Sequence, residues 1–389
     1  VDTDNGSLTD SNEDDTYFVK GATVDTGAGD DTITFTTVAE GASVSAGEGN
    51  DYVGSSIDAG TTILAADDES AQEVNLDKSA NKVGAVVDLG AGDDTAEFYQ
   101  EDTTAGAMNS LIVGKNAVLA GGAGADTLNV WALDSVSVVT NTSYTSKVDN
   151  SNANITGIET ANFTVLNQVD AAADAATGAG ENDDNEADGA ITADVMRFDS
   201  ALKAINLESQ EQVLLQDATT EIYRAGTATS FTLKNLREDI ALTLKANEAT
   251  GVSAGAIKDD QVVDVNLTVD GANARGTADT FTLNIAQGSG AFDLNLNLGA
   301  TSTDKVGNDA SKTDDDDMKF ENVVVKLAAD DKGHYINFNG FGDASHTEAP
   351  EEGSSTAVTS LTVNGGVAGT KLVLDNVSAD TITAAGAAD

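Results

Sequence analysis

The chain has no cysteine and a single proline, Pro350, among 389 residues. Without cysteine there is no disulfide framework and no thiolate metal site. The compartment stays open on that count, since disulfide-free extracellular proteins also occur. With almost no proline, turns fall to Gly and Asp. Basic residues are scarce: 19 Lys and Arg stand against 66 Asp and Glu, a formal net charge of −47. Such a chain repels nucleic acid and anionic membrane surfaces. It also repels itself on compaction unless divalent cations or a salty medium relieve the charge. Glutamate is the minority acid, 19 against 47 aspartates. That bias withholds a good helix former and favours caps, turns and metal sites. No apolar run approaches the ~20 residues of a membrane span. The chain opens without a signal peptide or an initiator Met, and reads as a mature or trimmed product.

What the chain does have is a repeated block. Residues 21–35 read GATVDTGAGDDTITF and residues 41–55 read GASVSAGEGNDYVGS. Residues 84–98 read GAVVDLGAGDDTAEF and residues 116–130 read NAVLAGGAGADTLNV. The starts are 20, 43 and 32 residues apart. Composition alone gives Gly-x-Gly-x-Asp roughly half a time in such a chain, and it occurs four times. Two places after the Asp stand Ile33, Val53 and Leu128, with Ala96 in the third copy. A block recurring along an Asp/Gly/Thr-rich chain predicts the coils of a solenoid. The Gly-rich turn hands the chain to a strand whose aliphatic residue faces the core.

The block resembles the RTX nonapeptide, Gly-Gly-x-Gly-x-Asp-x-aliphatic-x, whose family winds calcium-binding parallel β-rolls. Residues 121–129, GGAGADTLN, match it at every defined position, while the other copies carry Thr26, Ala46 and Leu89 in place of the first Gly. The resemblance implies bound calcium, with side-chain oxygens from Asp31, Asp51, Asp94 and Asp126. It implies backbone carbonyls around Gly27, Gly29, Gly47, Gly49, Gly90, Gly92, Gly122 and Gly124. Calcium takes roughly six to eight oxygens, and glycine turns let carbonyls point inward at low steric cost. RTX repeats usually run in tandem, whereas these copies are separated by inserts at 56–83 and 99–115. The dispersal predicts a few ions between particular turns, one of them shared by Asp31 and residues 46–53, instead of a continuous ladder. The other reading of the same residues is a set of plain Gly-Asp turns without metal.

Farther on, NITGIETANFTVL (154–166) reads as turn, short strand, turn, strand. Similar phrases occur in bacterial surface-layer proteins and other large secreted β-rich proteins. Residues 170–190 are acidic and of low complexity. The expected layout is an acidic N-terminal segment over 1–20, an RTX-like β-solenoid over 21–168, an acidic linker or surface loop over 169–190, and a β-rich domain over 191–389. In that domain SFTLKNL (230–236), VVDVNLTVDG (262–271), FDLNLNLG (292–299) and SLTVNGG (360–366) alternate polar and apolar residues. Acidic loops at 314–317 and 343–353 interrupt the alternation. The fold class expected is all-β: an N-terminal parallel β-solenoid or β-roll, then a β-sandwich or continued solenoid. Helix is confined at most to a minor piece near 191–203.

Nothing gathers into a catalytic set. Gly251-Val-Ser253-Ala-Gly255 matches the nucleophile-elbow pattern, but that elbow needs a buried strand before it and a helix after it. Here NEAT precedes and AIKDDQVVDVNLTV follows. His334 and His346 lack an H-E-x-x-H context. Asp2-Thr-Asp4-Asn5-Gly6 is too short for an EF-hand start and lacks the terminal Glu. Trp131, the only tryptophan, suits either sugar binding or packing. The expectation is a non-enzymatic, secreted structural protein of a bacterial cell surface. It would self-assemble into an S-layer, sheath or filament, with calcium stabilising turns and subunit contacts. Cell-surface polysaccharide is the other candidate partner; nucleic acid and membrane insertion are not expected. The alternatives are a calcium-dependent adhesin or glycan-binding module and, less favoured, an RTX-type secreted hydrolase.

Overall fold

The computed structural model describes residues 7–8, 17–18, 23–34, 37–38, 41–54, 62–63, 85–100, 110–113, 117–132, 135–139, 154–167, 190–215, 222–224, 229–250, 263–269, 280–286, 292–298, 322–328, 333–339, 358–365, 371–375 and 379–385. Most of the 1–20 segment, the acidic run at 169–189, the Gly251–Gly255 motif, His346 and the acidic loops at 314–317 and 343–353 lie outside the described residues.

Alternation writes the strands. In Thr127–Ala132 the residues Leu128, Val130 and Ala132 are buried, while Thr127, Asn129 and Trp131 are half-buried on the other face. Fully burying each aliphatic side chain of this kind contributes ~1.5–3 kcal/mol. The chain forms two compact units, 1–164 with 191–205, and 165–190 with 206–389.

In the first unit the coils from Thr23 onward each contribute one strand to each of three sheets, and Ser7–Leu8 and Tyr17–Phe18 begin the exit and return sheets. The entry sheet leads into the Gly-x-Gly-x-Asp turn and stacks Thr23–Asp25, Ser43–Glu48, Val86–Ala91, Val118–Ala123 and Ile155–Thr156. The exit sheet follows the turn and includes Thr32–Thr34, Tyr52–Gly54, Thr95–Gln100, Thr127–Ala132 and Thr160–Asn167. The return sheet includes Thr37–Val38, Thr62–Ile63, Ser110–Val113, Ser135–Val139 and Ala190–Asp194. Pairing is parallel and in register. Val24, Val44, Val87, Leu119 and Ile155 form one column. Leu8, Ile33, Val53, Ala96 and Leu128 form another.

Dispersal of the copies along the sequence does not separate them in the fold. Coils whose motifs stand 20, 43 and 32 residues apart stack as direct neighbours, with the strands on either side of each insert in register. A one-residue slip would turn the core face outward, so burial pins the register.

The second unit is also a parallel solenoid, with two sheets. Ala241–Thr250, Thr280–Ile285, Asn322–Leu327, Val358–Gly365 and Ala379–Ala385 lie in one; Thr229–Lys234, Val263–Val269, Phe292–Leu298, Gly333–Asn339 and Lys371–Asp375 lie in the other. Core columns such as Phe281–Val323–Leu361 and Phe231–Leu267–Leu296 run through them. Parallel pairing decides between the two expected folds, since Ig-type sandwiches are antiparallel. One antiparallel pair is described, Ala204–Leu215 with Ile222–Arg224. The minor helical piece expected near 191–203 is a single 3-10 turn, Val195–Arg197, entered from strand Ala190–Asp194. Asp194 caps that turn by accepting the Met196 N–H at 3.1 Å.

Candidate functional site: a ladder of buried carboxylates

The turns are built by glycine for a steric reason. Gly47, Gly90 and Gly122 have φ of 113°, 105° and 104°, a region L-residues rarely occupy. A Cβ on each would also lie on the carbonyl oxygen of its counterpart in the preceding coil: Gly27, Gly47 and Gly90 respectively. Gly29, Gly49, Gly92 and Gly124 stack in the same way. Backbone hydrogen bonds join the turns. Gly29, Gly49 and Gly92 N–H donate to the carbonyls of Glu48, Ala91 and Ala123 at 2.6, 2.8 and 2.9 Å. The Gly27 carbonyl accepts from Glu48 N–H at 2.9 Å. These carbonyls therefore already bond from coil to coil.

The four block aspartates follow directly. Asp31 N–H donates to Asp51 Oδ1 at 2.8 Å, Asp51 N–H to Asp94 Oδ1 at 2.7 Å, and Asp94 N–H to Asp126 Oδ1 at 2.9 Å. Asp126 N–H donates to Glu159 Oε2 at 2.7 Å. Each of the four aspartates is at most 2% exposed. A second ladder runs beside it, on the exposed side and in the opposite direction. Asn50 N–H donates to Asp30 Oδ1, Asp93 N–H to Asn50 Oδ1, and Ala125 N–H to Asp93 Oδ1, at 2.8–2.9 Å. The third turn, for example, is tied to the second by its buried Asp94 and to the fourth by its exposed Asp93.

Sequence reasoning placed the four aspartates in one role but missed Glu159 and the outer ladder. Glu159 was readable: Glu159-Thr-Ala-Asn162 repeats Asp126-Thr-Leu-Asn129. The NITGIETANF phrase is a fifth rung with Glu in place of Asp.

The inner ladder is electrostatically incomplete. Its Oδ1 atoms accept backbone N–H groups, but among the described residues Oδ2 of Asp51, Asp94 and Asp126 are buried with no hydrogen-bond partner. A buried carboxylate oxygen without a partner is costly. Burial pushes Asp94 from the ordinary value of 3.8 up to about 6; the Asp51 N–H opposes the rise, and the charges of Asp126, Asp51 and Asp93 add to it. Burial likewise raises Asp51 against the Asp31 N–H, with Asp31 and Asp30 adding to the rise. Burial raises Asp126 against the Asp94 N–H, with Glu159 and Asp93 adding. The corner accepts positive charge, as protons or as a cation.

The fourth block is closely packed at its first glycine. A Cβ on Gly121 would sit 2.7 Å from Asp126 Oδ2 and on the Gly157 carbonyl oxygen. Only glycine lets the Gly157 carbonyl and the Asp126 carboxylate close this far against the strand, and both are oxygen donors of the type calcium takes. In the second and third copies the same position holds Ala46 and Leu89, both fully buried. Among the described residues no three Asp, Glu or His side chains converge on one point. An ion would rest on one or two ladder carboxylates, with backbone and water oxygens completing its shell.

No family model, no curated protein and no solved structure matches the chain. Fold and turn geometry define its class: a parallel β-solenoid protein whose coils are joined at one corner by a buried, sequential Asp31–Asp51–Asp94–Asp126 ladder.

Proposed function

We propose that this is a non-catalytic structural protein of an extracellular bacterial surface, whose coils are stiffened by calcium and whose copies assemble into a lattice or filament. The observation that carries the reading is the row of buried carboxylate oxygens without partners at Asp51, Asp94 and Asp126. Bound calcium supplies the missing positive charge there. The chain's part is to fix the acids: backbone N–H groups hold each Oδ1 and leave each Oδ2 turned into the corner. The complete RTX-like match at 121–129 coincides with the turn where Gly121 lets the Asp126 carboxylate and the Gly157 carbonyl close against the strand. A formal charge of −47 makes counter-cations equally useful between copies.

Purified protein imaged by negative-stain electron microscopy tests assembly. Ordered sheets or fibres are expected in millimolar calcium, and dispersed particles in EGTA. Dispersed particles in both conditions, with retained binding to cells, would replace the lattice reading with the adhesin one.

A further inference from the structure

The exit sheet of the first unit has an outward face that the carboxylate ladder does not use. On it a polar row crosses four coils. Tyr52 Oη donates to Glu97 Oε1 at 3.0 Å, and Asn129 Nδ2 donates to Glu97 Oε2 at 3.2 Å. Asn162 Nδ2 donates to Asn129 Oδ1 at 2.8 Å. The row is flanked by two aromatic groups. At one side the Tyr52 ring lies over Gly54: a Cβ there would be 2.8 Å from Tyr52 Oη and 2.9 Å from its Cζ. Gly54 thus lets the ring lie along the sheet and reach Glu97, the register partner of Gly54. At the other side Trp131 stands two residues past Asn129 on the same face, half-buried, with Tyr99 as its register partner. Burial, followed by the bond to Glu97 and the charge of Glu97, pushes the Tyr52 hydroxyl up to about 12, so it stays a neutral donor.

Flat rings bracketing amide and carboxylate groups already locked by hydrogen bonds suit a saccharide. The C–H faces of a sugar ring pack on aromatic faces, and its hydroxyls pair with fixed polar groups. The strand spacing of ~4.8 Å is close to the length of one sugar ring, so a chain crossing the strands can meet successive coils in step. A carboxylate in the row, on a chain of charge −47, repels uronate and phosphate polymers. We propose that this face binds a neutral polysaccharide laid across the strands, with Tyr52 and Trp131 as stacking platforms and Glu97 and Asn129 as hydroxyl partners. The site needs only the first unit and does not depend on lattice assembly or calcium-bound turns.

Because Trp131 is the only tryptophan, its fluorescence reports on this face alone. Cellohexaose, chitohexaose and maltohexaose are titrated into the full chain, with polygalacturonate as the anionic control. A saturable emission change with at least one neutral hexamer and none with polygalacturonate is expected. Co-sedimentation with the matching insoluble polymer should fall about tenfold or more in Trp131→Ala. It should largely persist in Trp131→Tyr, both variants melting as the parent does. No emission change with any hexamer overturns the proposal. So does equal binding of polygalacturonate, or polymer binding unaltered in both Trp131→Ala and Asn129→Ala.

Discussion

Gly90→Ala is expected to cost about 3–5 kcal/mol, and Gly27→Ala, the same change at the same place in the motif, only about 1–2. Both glycines have positive φ, 105° and 96°, so both alanines carry the strain of a left-handed backbone, ~1–2 kcal/mol. Only Gly90 has another coil's backbone against its Cα: a Cβ there meets the carbonyl oxygen, carbon and nitrogen of Gly47. Gly47 cannot retreat, because the flanking Gly49 N–H is bonded to the Ala91 carbonyl and Gly47 is itself in register with Gly90. Among the described residues nothing lies within 4 Å of a Cβ on Gly27. Urea denaturation of both variants at fixed calcium measures the difference. Equal losses would mean that the blocks do not stack turn on turn.

The second large effect is a split between two substitutions of one acid. Asp94 Oδ1 accepts the buried Asp51 N–H, while Asp94 Oδ2 has no hydrogen-bond partner. Asp94→Asn keeps an acceptor for that N–H and removes a buried negative charge. Asp94→Ala removes both and leaves the N–H orphaned, at about 1–3 kcal/mol. In EGTA near neutral pH, Asp94→Asn should therefore melt above the parent, and Asp94→Ala below the Asn variant by that amount. In calcium the order of parent and Asn variant should reverse, since only the parent offers a charged oxygen to the ion. An Ala variant as stable as the Asn variant in EGTA would remove the ladder bond from the account. An Asn variant as calcium-responsive as the parent would remove Asp94 from the ligand set.

Much of the first unit was legible because the Gly-x-Gly-x-Asp block carries steric and hydrogen-bonding requirements together. The positive-φ glycine, the ladder acid and the inward aliphatic residue have to recur at fixed offsets for coils to stack. The register across the inserts was not legible, because insert length says nothing about where a coil closes. The third sheet was hidden for a related reason: Thr37–Val38 and Thr62–Ile63 are two-residue strands, too short to show a period. In the second unit, Thr280–Ile285 and Phe292–Leu298 read identically as parallel coils or antiparallel sandwich strands. Alternation gives the buried face, and only the long-range pairing gives the direction. Glu159 escaped because it replaces the block's Asp with a longer acid, although the Thr-x-Asn after it was in plain view.

The central claim is that the buried ladder needs positive charge and that calcium provides it. Melting temperature against pH, in EGTA and in calcium, tests this most directly. The folded-state value of Asp94, about 6, lies above its ordinary 3.8. The folded chain thus holds more protons than the unfolded one across that window, and stability falls as pH rises through it. Below 3.8 the penalty is absent, and above about 6 it is complete. In EGTA the melting temperature should drop between about pH 4 and about pH 7.5, and less steeply in Asp94→Asn. Calcium should recover the drop at the higher pH and do little at the lower, where protons already occupy the ladder. Superimposed melting curves with and without calcium at both ends of the range would contradict the account.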